Sequence, residues 1–426
     1  MTSLSAPVSR WLGRRVLKKA VAGDLDLSRV PFAPESFLLP FRRDGVDPVP
    51  ALGRRRERDR VSRLLRFGGF NVWLVTGHTE VRAVLADRTS YSNDIRRLVP
   101  SHGTTAAHSV GGLGLTDPPD HTRLRALLTP EFTLRRLARL QPRITQIVDD
   151  QLDVLEAKGP VVDLVPDFAF PIPFLVICEL LGVEPEDREA FRHLGATRFD
   201  LTGGGIGLFG AASTSRAFLL DVVARQRAEP GTGLIGAILR EHGDEIDDLD
   251  LAGLADGVFL GGYETTASLL SLGALTLIQH PEAIQLIRED DDAVVAVVEE
   301  LLRYLSVVQT GFPRFARHDL QLFDKRITAG DALICSLSGA NRDARFAAEP
   351  DDFDPRRRAD SHLAFGHGFH RCVGAELARM ELRTAFRAIA RRLPDLALAV
   401  DPDELKFRQQ SVVFGVDSLP VRLRPA

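Results

Sequence analysis

The chain has 426 residues, 44% of them hydrophobic, with a formal net charge of −4 and a pI near 6.3. So much apolar side chain excludes disorder over most of the length, and the weakly acidic balance gives no electrostatic reason to expect nucleic acid as a partner. The three cysteines, Cys178, Cys335 and Cys372, are too few for a disulfide framework and suit a reducing cytoplasm.

Residues 1–45 read as a basic leader, with Trp11, Leu12, Val16 and Leu17 among Arg10, Arg14, Arg15, Lys18 and Lys19. They lack the apolar centre and cleavage site of a signal peptide. Their charges share a helical side with their apolar residues, which argues against a membrane-surface helix. No run approaches the ~20 apolar residues that span a bilayer. The remainder, 46–426, shows no repeat and no linker and is expected to form one domain.

Within it, residues 71–76 alternate as a strand, and Gly77 leads into a helical pattern through Val81, Val84 and Leu85. Residues 94–119 carry no period and predict a long loop, a kind that tends to be functional. Helical periodicity dominates 129–280, broken at Pro171, Pro173 and the glycines at 203–205 and 207. The longest helix is expected over 248–279, with an aspartate-rich start and Pro281 beyond its end. A shorter helix follows over 291–304, a small sheet between 312 and 334, a last helix over 373–393, and a β-like tail through Val412–Phe414 and Val421–Leu423. The expected fold class is mainly α, a single large domain with a small β-rich subregion.

Four stretches carry chemistry. His121 and Arg125 stand at i, i+4 on one helix face and can grip an anion together. Gly261-Gly262-Tyr263-Glu264-Thr265-Thr266 lies inside the longest helix, where two glycines cost about 1 kcal/mol each. A kink in which Thr265 bonds back to a carbonyl, with Glu264 beside it to relay protons, offsets that cost; a helix crossing with a surface acid is the alternative. Glu300 and Arg303 pair at i, i+3. In Phe365-Gly366-His367-Gly368-Phe369-His370-Arg371-Cys372-Val373-Gly374, the glycines let backbone approach a flat ligand. A cysteine entering a helix there has its thiolate favoured by the dipole and free amides. Cys178 and Cys335 lack such a loop and read as core.

The spacing of Phe365, Gly368, Cys372 and Gly374 resembles the haem-binding signature of bacterial-type cytochromes P-450, and the other motifs stand in that family's order from about Val72 onward. The resemblance implies haem b with Cys372 as axial thiolate, and Phe365, Gly366, Gly374, Gly261 and Gly262 against the haem. It makes His121, Arg125, Arg314 and His370 the holders of the propionates. Glu264 then feeds protons, Thr265 holds dioxygen, and Glu300, Arg303 and Arg357 form a buried structural triad.

It further implies a monooxygenase that inserts one oxygen atom from O2 into a C–H or C=C bond. Electrons come from a separate ferredoxin and ferredoxin reductase, landing near Arg345, Arg371 and Arg379. Segments 95–113, 199–218, 259–265, 306–312 and 410–414 would line the substrate pocket, with Phe259, Val308 and Val413 as contacts. Their apolar character suits a hydrophobic small molecule of moderate size, such as a terpenoid, polyketide, steroid or other secondary metabolite. The whole is read as a cytoplasmic monomer without nucleic-acid partner or stable membrane insertion. A peroxygenase or redox-neutral haem enzyme on the same fold is the alternative, which the Glu264–Thr265 pair argues against; a non-catalytic haem-binding protein is another.

Overall fold

The computed structural model describes residues 38–67, 70–94, 113–195, 214–409 and 411–424. Most of the expected leader, and residues 95–112 and 199–213 of the expected pocket segments 95–113 and 199–218, lie outside them. After helix α1 (Pro50–Arg58) come strands β1 (Val61–Phe67) and β2 (Phe70–Val75), helix α2 (His78–Ala86) and the short strand β3 (Tyr91–Ser92). Helices α3 (Asp120–Leu128), α4 (Gln141–Lys158), α5 (Pro171–Leu181), α6 (Arg188–Gly195), α7 (Thr214–Ala228) and α8 (Leu234–His242) follow, with β4 (Val161–Asp163) between α4 and α5. Then come α9 (Asp248–Gln279), α10 (Pro281–Glu289), α11 (Ala293–Leu305), β5 (Arg314–Ala316), β6 (Ala332–Cys335) and α12 (Ala375–Arg392).

The main sheet has the order β1-β2-β6-β5-β3. β6 runs parallel to β2 with Ala332 opposite Val72 and Cys335 opposite Val75, so a strand from late in the chain is inserted beside one from its beginning. α2 packs on this sheet through Val81, Val84 and Leu85, in a cluster that also takes Leu333, Cys335 and Leu363. The larger core is shared by α4, α5, α9, α11 and α12, through residues such as Ile147, Ile177, Leu272, Leu301 and Phe386.

α9 keeps the expected bounds because both ends are built to stop. The Asp247 side chain accepts from the Asp250 amide at 2.7 Å and caps the start, and Pro281 opens α10. The sequence reading took Pro281 only as a terminator, whereas proline at a first helical position begins a new helix as readily. From Ala267 to Leu277 every α9 residue is buried, which makes this half the axis of the core and leaves the glycine-bearing half to form a site. Residues before the expected boundary at 45 also pack: Phe41 and Arg43 are buried, and Arg43 donates to the Leu305 and Ser306 carbonyls and to Gln309. Among the described residues no helix is long and apolar enough to cross a membrane.

Candidate active site

Cys372 sits between a one-turn helix, Gly368–His370, and the start of α12. Its amide donates to the Phe365 carbonyl at 2.9 Å, closing the loop on itself. Gly366 and Gly368 carry φ of +68° and +69°, where a side chain is strained. A Cβ on Gly368 would come within 2.6 Å of the Leu85 carbonyl oxygen and 2.7 Å of the Ala86 Cα, so the loop lies directly against the end of α2. At the other side, a Cβ on Gly374 would meet the Cys372 sulfur at 4.0 Å.

Cys178 and Cys335 are fully buried, and their thiols are pushed up to about 12 by burial. Cys372 is exposed, yet the surrounding protein still raises its thiol, against the opposing Gly374 amide and the charges of Arg125, Arg371 and Arg379. The two observations agree if the sulfur lines an inward-facing recess, accessible but close to protein.

Four cation-forming side chains converge beside this loop. His121 is fully buried, 4.2 Å from His370 and 4.1 Å from Phe369 between ring centroids, and neither of its ring nitrogens has a hydrogen-bond partner. Burial, then the charge of Arg125, holds His121 down at about 4. Burial, then Arg314, His121 and Arg125, holds His370 at about 3. Arg314 is itself buried, and one of its nitrogens donates to the Phe312 carbonyl. Unpartnered buried donors beside two arginines are costly without an anion, and the donor set suits a flat ligand bearing two carboxylates. Haem fits these residues: a glycine-lined cysteine for the iron, and a cationic cluster for the propionates.

The cluster is itself anchored by a residue the sequence reading passed over. Asp117, ahead of α3, accepts from the Ser92 hydroxyl, the Asn93 amide and Arg317, tying the start of α3 to the sheet edge.

On α9, the Thr265 hydroxyl donates to the Gly261 carbonyl at 2.6 Å, the back-bond expected for a helix opened at its glycines. Gly257, Gly261 and Thr265, one turn apart, keep accessible surface, as do Val258, Leu260 and Gly262 between them, whereas Phe259 and Tyr263 are buried. Phe259 has no exposed surface; its ring lies tilted against Phe191 at 4.3 Å and stacks on Tyr263 at 5.4 Å. It belongs to an aromatic core cluster and not to the expected pocket wall, a consequence of its phase on the helix. The segments carrying Val308 and Val413 do come together as an antiparallel bridge. Val308 keeps some accessible surface, but Val413 turns inward at 2% exposure, so only the former can offer an accessible face.

Glu264 is buried and ion-paired with Arg408. Arg408 also reaches Ser268 and lies 3.7 Å from the exposed Asp417. Nothing local in the sequence announces this partner, 144 residues away; the one signal is that a buried glutamate requires a cation. Glu300 and Arg303 are both without exposed surface and bonded through two contacts of 2.7 Å, while Arg357 reaches Glu300 at 3.0 Å. The arginines expected to receive a redox partner divide. Arg371 is exposed, Arg345 is exposed but bonded twice to Glu80, and Arg379 is buried against Glu299 and Glu376. A residue count along the thiolate loop could not distinguish an outward arginine from a paired one.

Comparison with known proteins gives a family model, Cytochrome P-450, that matches residues 225–413. Cytochrome P-450 FAS1 of Rhodococcoides fascians is 41% identical over 388 residues, covering 89% of this chain and 97% of that protein. Cytochrome P-450 165C4 of Amycolatopsis orientalis is 42% identical over 354 residues, 82% of this chain and 86% of that one. Among solved structures, OxyE, a cytochrome P-450 involved in teicoplanin biosynthesis, superposes with a TM-score of 0.80 at 37% identity, covering 90% of this chain and 99% of the other.

Proposed function

The chain belongs to the cytochrome P-450 family, as a monooxygenase with haem b on a cysteine thiolate, and from that premise we propose that Cys372 is the thiolate and that residues 46–426 form the catalytic domain. The observation that carries this reading is the buried, unpartnered His121 beside Arg125, Arg314 and His370, next to a glycine-lined cysteine loop. Bound there, haem supplies dioxygen activation and the transfer of one oxygen atom to a C–H or C=C bond.

The protein's own groups do the rest. The Gly374 amide hydrogen-bonds the Cys372 sulfur and moderates its basicity. His121, Arg125, Arg314 and His370 hold the propionates, while Phe365, Gly366, Gly374, Gly261 and Gly262 let backbone lie close to the ring. Thr265, fixed by the Gly261 carbonyl, presents its hydroxyl at the accessible face of α9 and orients dioxygen. Glu264 carries protons inward, and its pairing with Arg408 places it on a line of charges, Asp417–Arg408–Glu264, from surface to helix. Glu300, Arg303 and Arg357 are structural.

The substrate is inferred to be a hydrophobic secondary metabolite of moderate to large size; a relative such as OxyE, from teicoplanin biosynthesis, supports the bulky end of that range. Electrons are proposed to come from a separate ferredoxin and its reductase in the cytoplasm, with exposed Arg371 on the docking side and the protein monomeric. The test is the reduced, carbon monoxide-bound absorption spectrum of the purified protein. A Soret band near the wavelength typical of thiolate-ligated haem supports the reading, and loss of that band in Cys372→Ser assigns the ligand. A wild-type spectrum without it refutes the proposal.

A further inference from the structure

The adjacent acids Glu299 and Glu300, in the middle of α11, divide their labour. Glu300 serves the triad with Arg303 and Arg357, while Glu299 points elsewhere. It accepts two bonds from Arg379, 2.6 Å from Nε and 2.8 Å from Nη2, and Arg379 Nη1 reaches Glu376 at 2.9 Å. Arg383 adds a longer contact to Glu299 at 3.4 Å. His362 completes the group: its Nδ1 accepts the Ala364 amide at 3.1 Å, so its Nε2 donates to Glu299 at 3.1 Å.

The guanidinium of Arg379 is held over the face of Phe365, 4.7 Å from the ring centroid, within cation–π range. Phe365 is the residue whose carbonyl accepts the Cys372 amide. The contacts therefore run from the middle of the core, through a locked guanidinium, to the loop that carries the sulfur. Three arginines stand around this loop: Arg371 next to the cysteine in the chain, Arg125 bonded to the Arg371 carbonyl, and Arg379 in the second turn of the helix that the loop enters. Arg371 is exposed and Arg125 partly so, which leaves both open to solvent screening; Arg379 is buried and bonded on three nitrogens. Although burial raises the Glu299 carboxyl, bonds from Arg379 and His362 bring it down to about 2, so the pair stays charged across the working pH range.

We propose that Glu299 and Arg379, with His362 and Phe365, are positioning residues that set the electron-donor strength of the Cys372 thiolate. This rests on the assignment of Cys372 as the haem ligand. Charged and hydrogen-bonding groups around a metal ligand govern how much electron density it passes on. A positive charge fixed near the sulfur weakens its donation and favours the reduced, less positive iron.

The experiment measures the ferric–ferrous midpoint potential of the full-length holoprotein, with the carbon monoxide spectrum and thermal unfolding recorded on the same samples. Arg379→Gln removes the charge but retains a donor for Glu299. It should make the protein harder to reduce, shifting the reduction equilibrium roughly three- to tenfold, tenfold being about 59 mV for one electron. Arg379→Lys keeps the charge without the two-pronged grip and should recover at least half of that shift. The double variant Glu299→Gln/Arg379→Gln removes both buried ions together and leaves only the partly exposed Glu376 and Arg383, so it folds where the single variant does not, and it should shift in the same direction.

An unchanged potential in either glutamine variant that retains the thiolate Soret band overturns the proposal. So do equal shifts in Arg379→Lys and Arg379→Gln, because the effect would then be packing and not charge. Absence of that band in the wild-type protein defeats instead the assignment of the ligand, which keeps the two failures distinct.

Discussion

Replacing Gly368 with alanine should disturb the thiolate loop and its haem more than replacing Gly366. Both residues have nearly the same backbone conformation, φ +69° and +68°, so the penalty of placing an L side chain in the left-handed region, about 1–2 kcal/mol, is common to both. They differ in what the added methyl meets. Nothing lies within 4 Å at Gly366, whereas at Gly368 it would stand 2.6 Å from the Leu85 carbonyl oxygen and 2.7 Å from the Ala86 Cα. Backbone at the end of α2 cannot swing aside as a side chain can, and overpacking of this kind adds about 1–3 kcal/mol. The strain falls on the loop that ends at Cys372. The assay is haem per chain, from the Soret-to-280 nm absorbance ratio, together with the melting temperature. Gly366→Ala should lose part of its haem, because backbone there lies close to the ring, and Gly368→Ala should lose more and melt lower. Equal haem content in the two variants would refute the reasoning.

Four further outcomes follow from the geometry. Glu300→Ala leaves the fully buried Arg303 without its acid and should cost about 3–5 kcal/mol, seen as a melting temperature lowered by roughly 5 °C for a domain of this size. His121→Phe removes a propionate donor from a dry site and should weaken haem affinity about 10–100-fold, measured by transfer to apomyoglobin, in line with about 1.5–3 kcal/mol for a bond to a charged group. Thr265→Ala and Arg408→Gln should both lower the product formed per electron pair consumed, with peroxide rising, once a surrogate ferredoxin system supplies turnover; unchanged coupling in Thr265→Ala removes that residue from oxygen activation.

Glu381 gives a pH test. It is buried with one carboxylate oxygen unpartnered, and burial pushes it up to about 8 from 4.5. An acid with a raised folded pKa binds its proton more tightly in the native state, so it draws down stability as pH rises from 4.5 to 8. Glu381→Gln should therefore melt above the wild type at pH 9, by at least about 1 kcal/mol, with the difference shrinking toward pH 4; equal melting at pH 9 would sink this account.

What the sequence discloses about this protein follows the range of the interactions involved. The bounds of α9 were readable because its cap, its period and the proline after it are local. The Cys372 loop was readable because its glycines are demanded by backbone geometry within ten residues. Phe259 was misplaced because periodicity gives a face but not its direction: 259 and 261 lie two residues apart and point to opposite sides. Arg408, Arg317 and His362 were invisible as partners because their acids stand far away in the chain. The fate of Arg379 depended on whether a carboxylate from α11 arrived beside it, a tertiary fact with no signature in the motif that contains it.

The close approach of Gly368 to Leu85 and Ala86, and of His370 to His121, has a temporal side. During synthesis His121 leaves the ribosome roughly 12–50 s before Cys372, at about 5–20 residues per second. Through that interval the first half of the cationic cluster has neither its sulfur-bearing loop nor the strand β6 that stands beside β2. A complete haem site cannot form before Cys372 emerges, and a nascent chain stalled ahead of it should be haem-free and a ready client for chaperones.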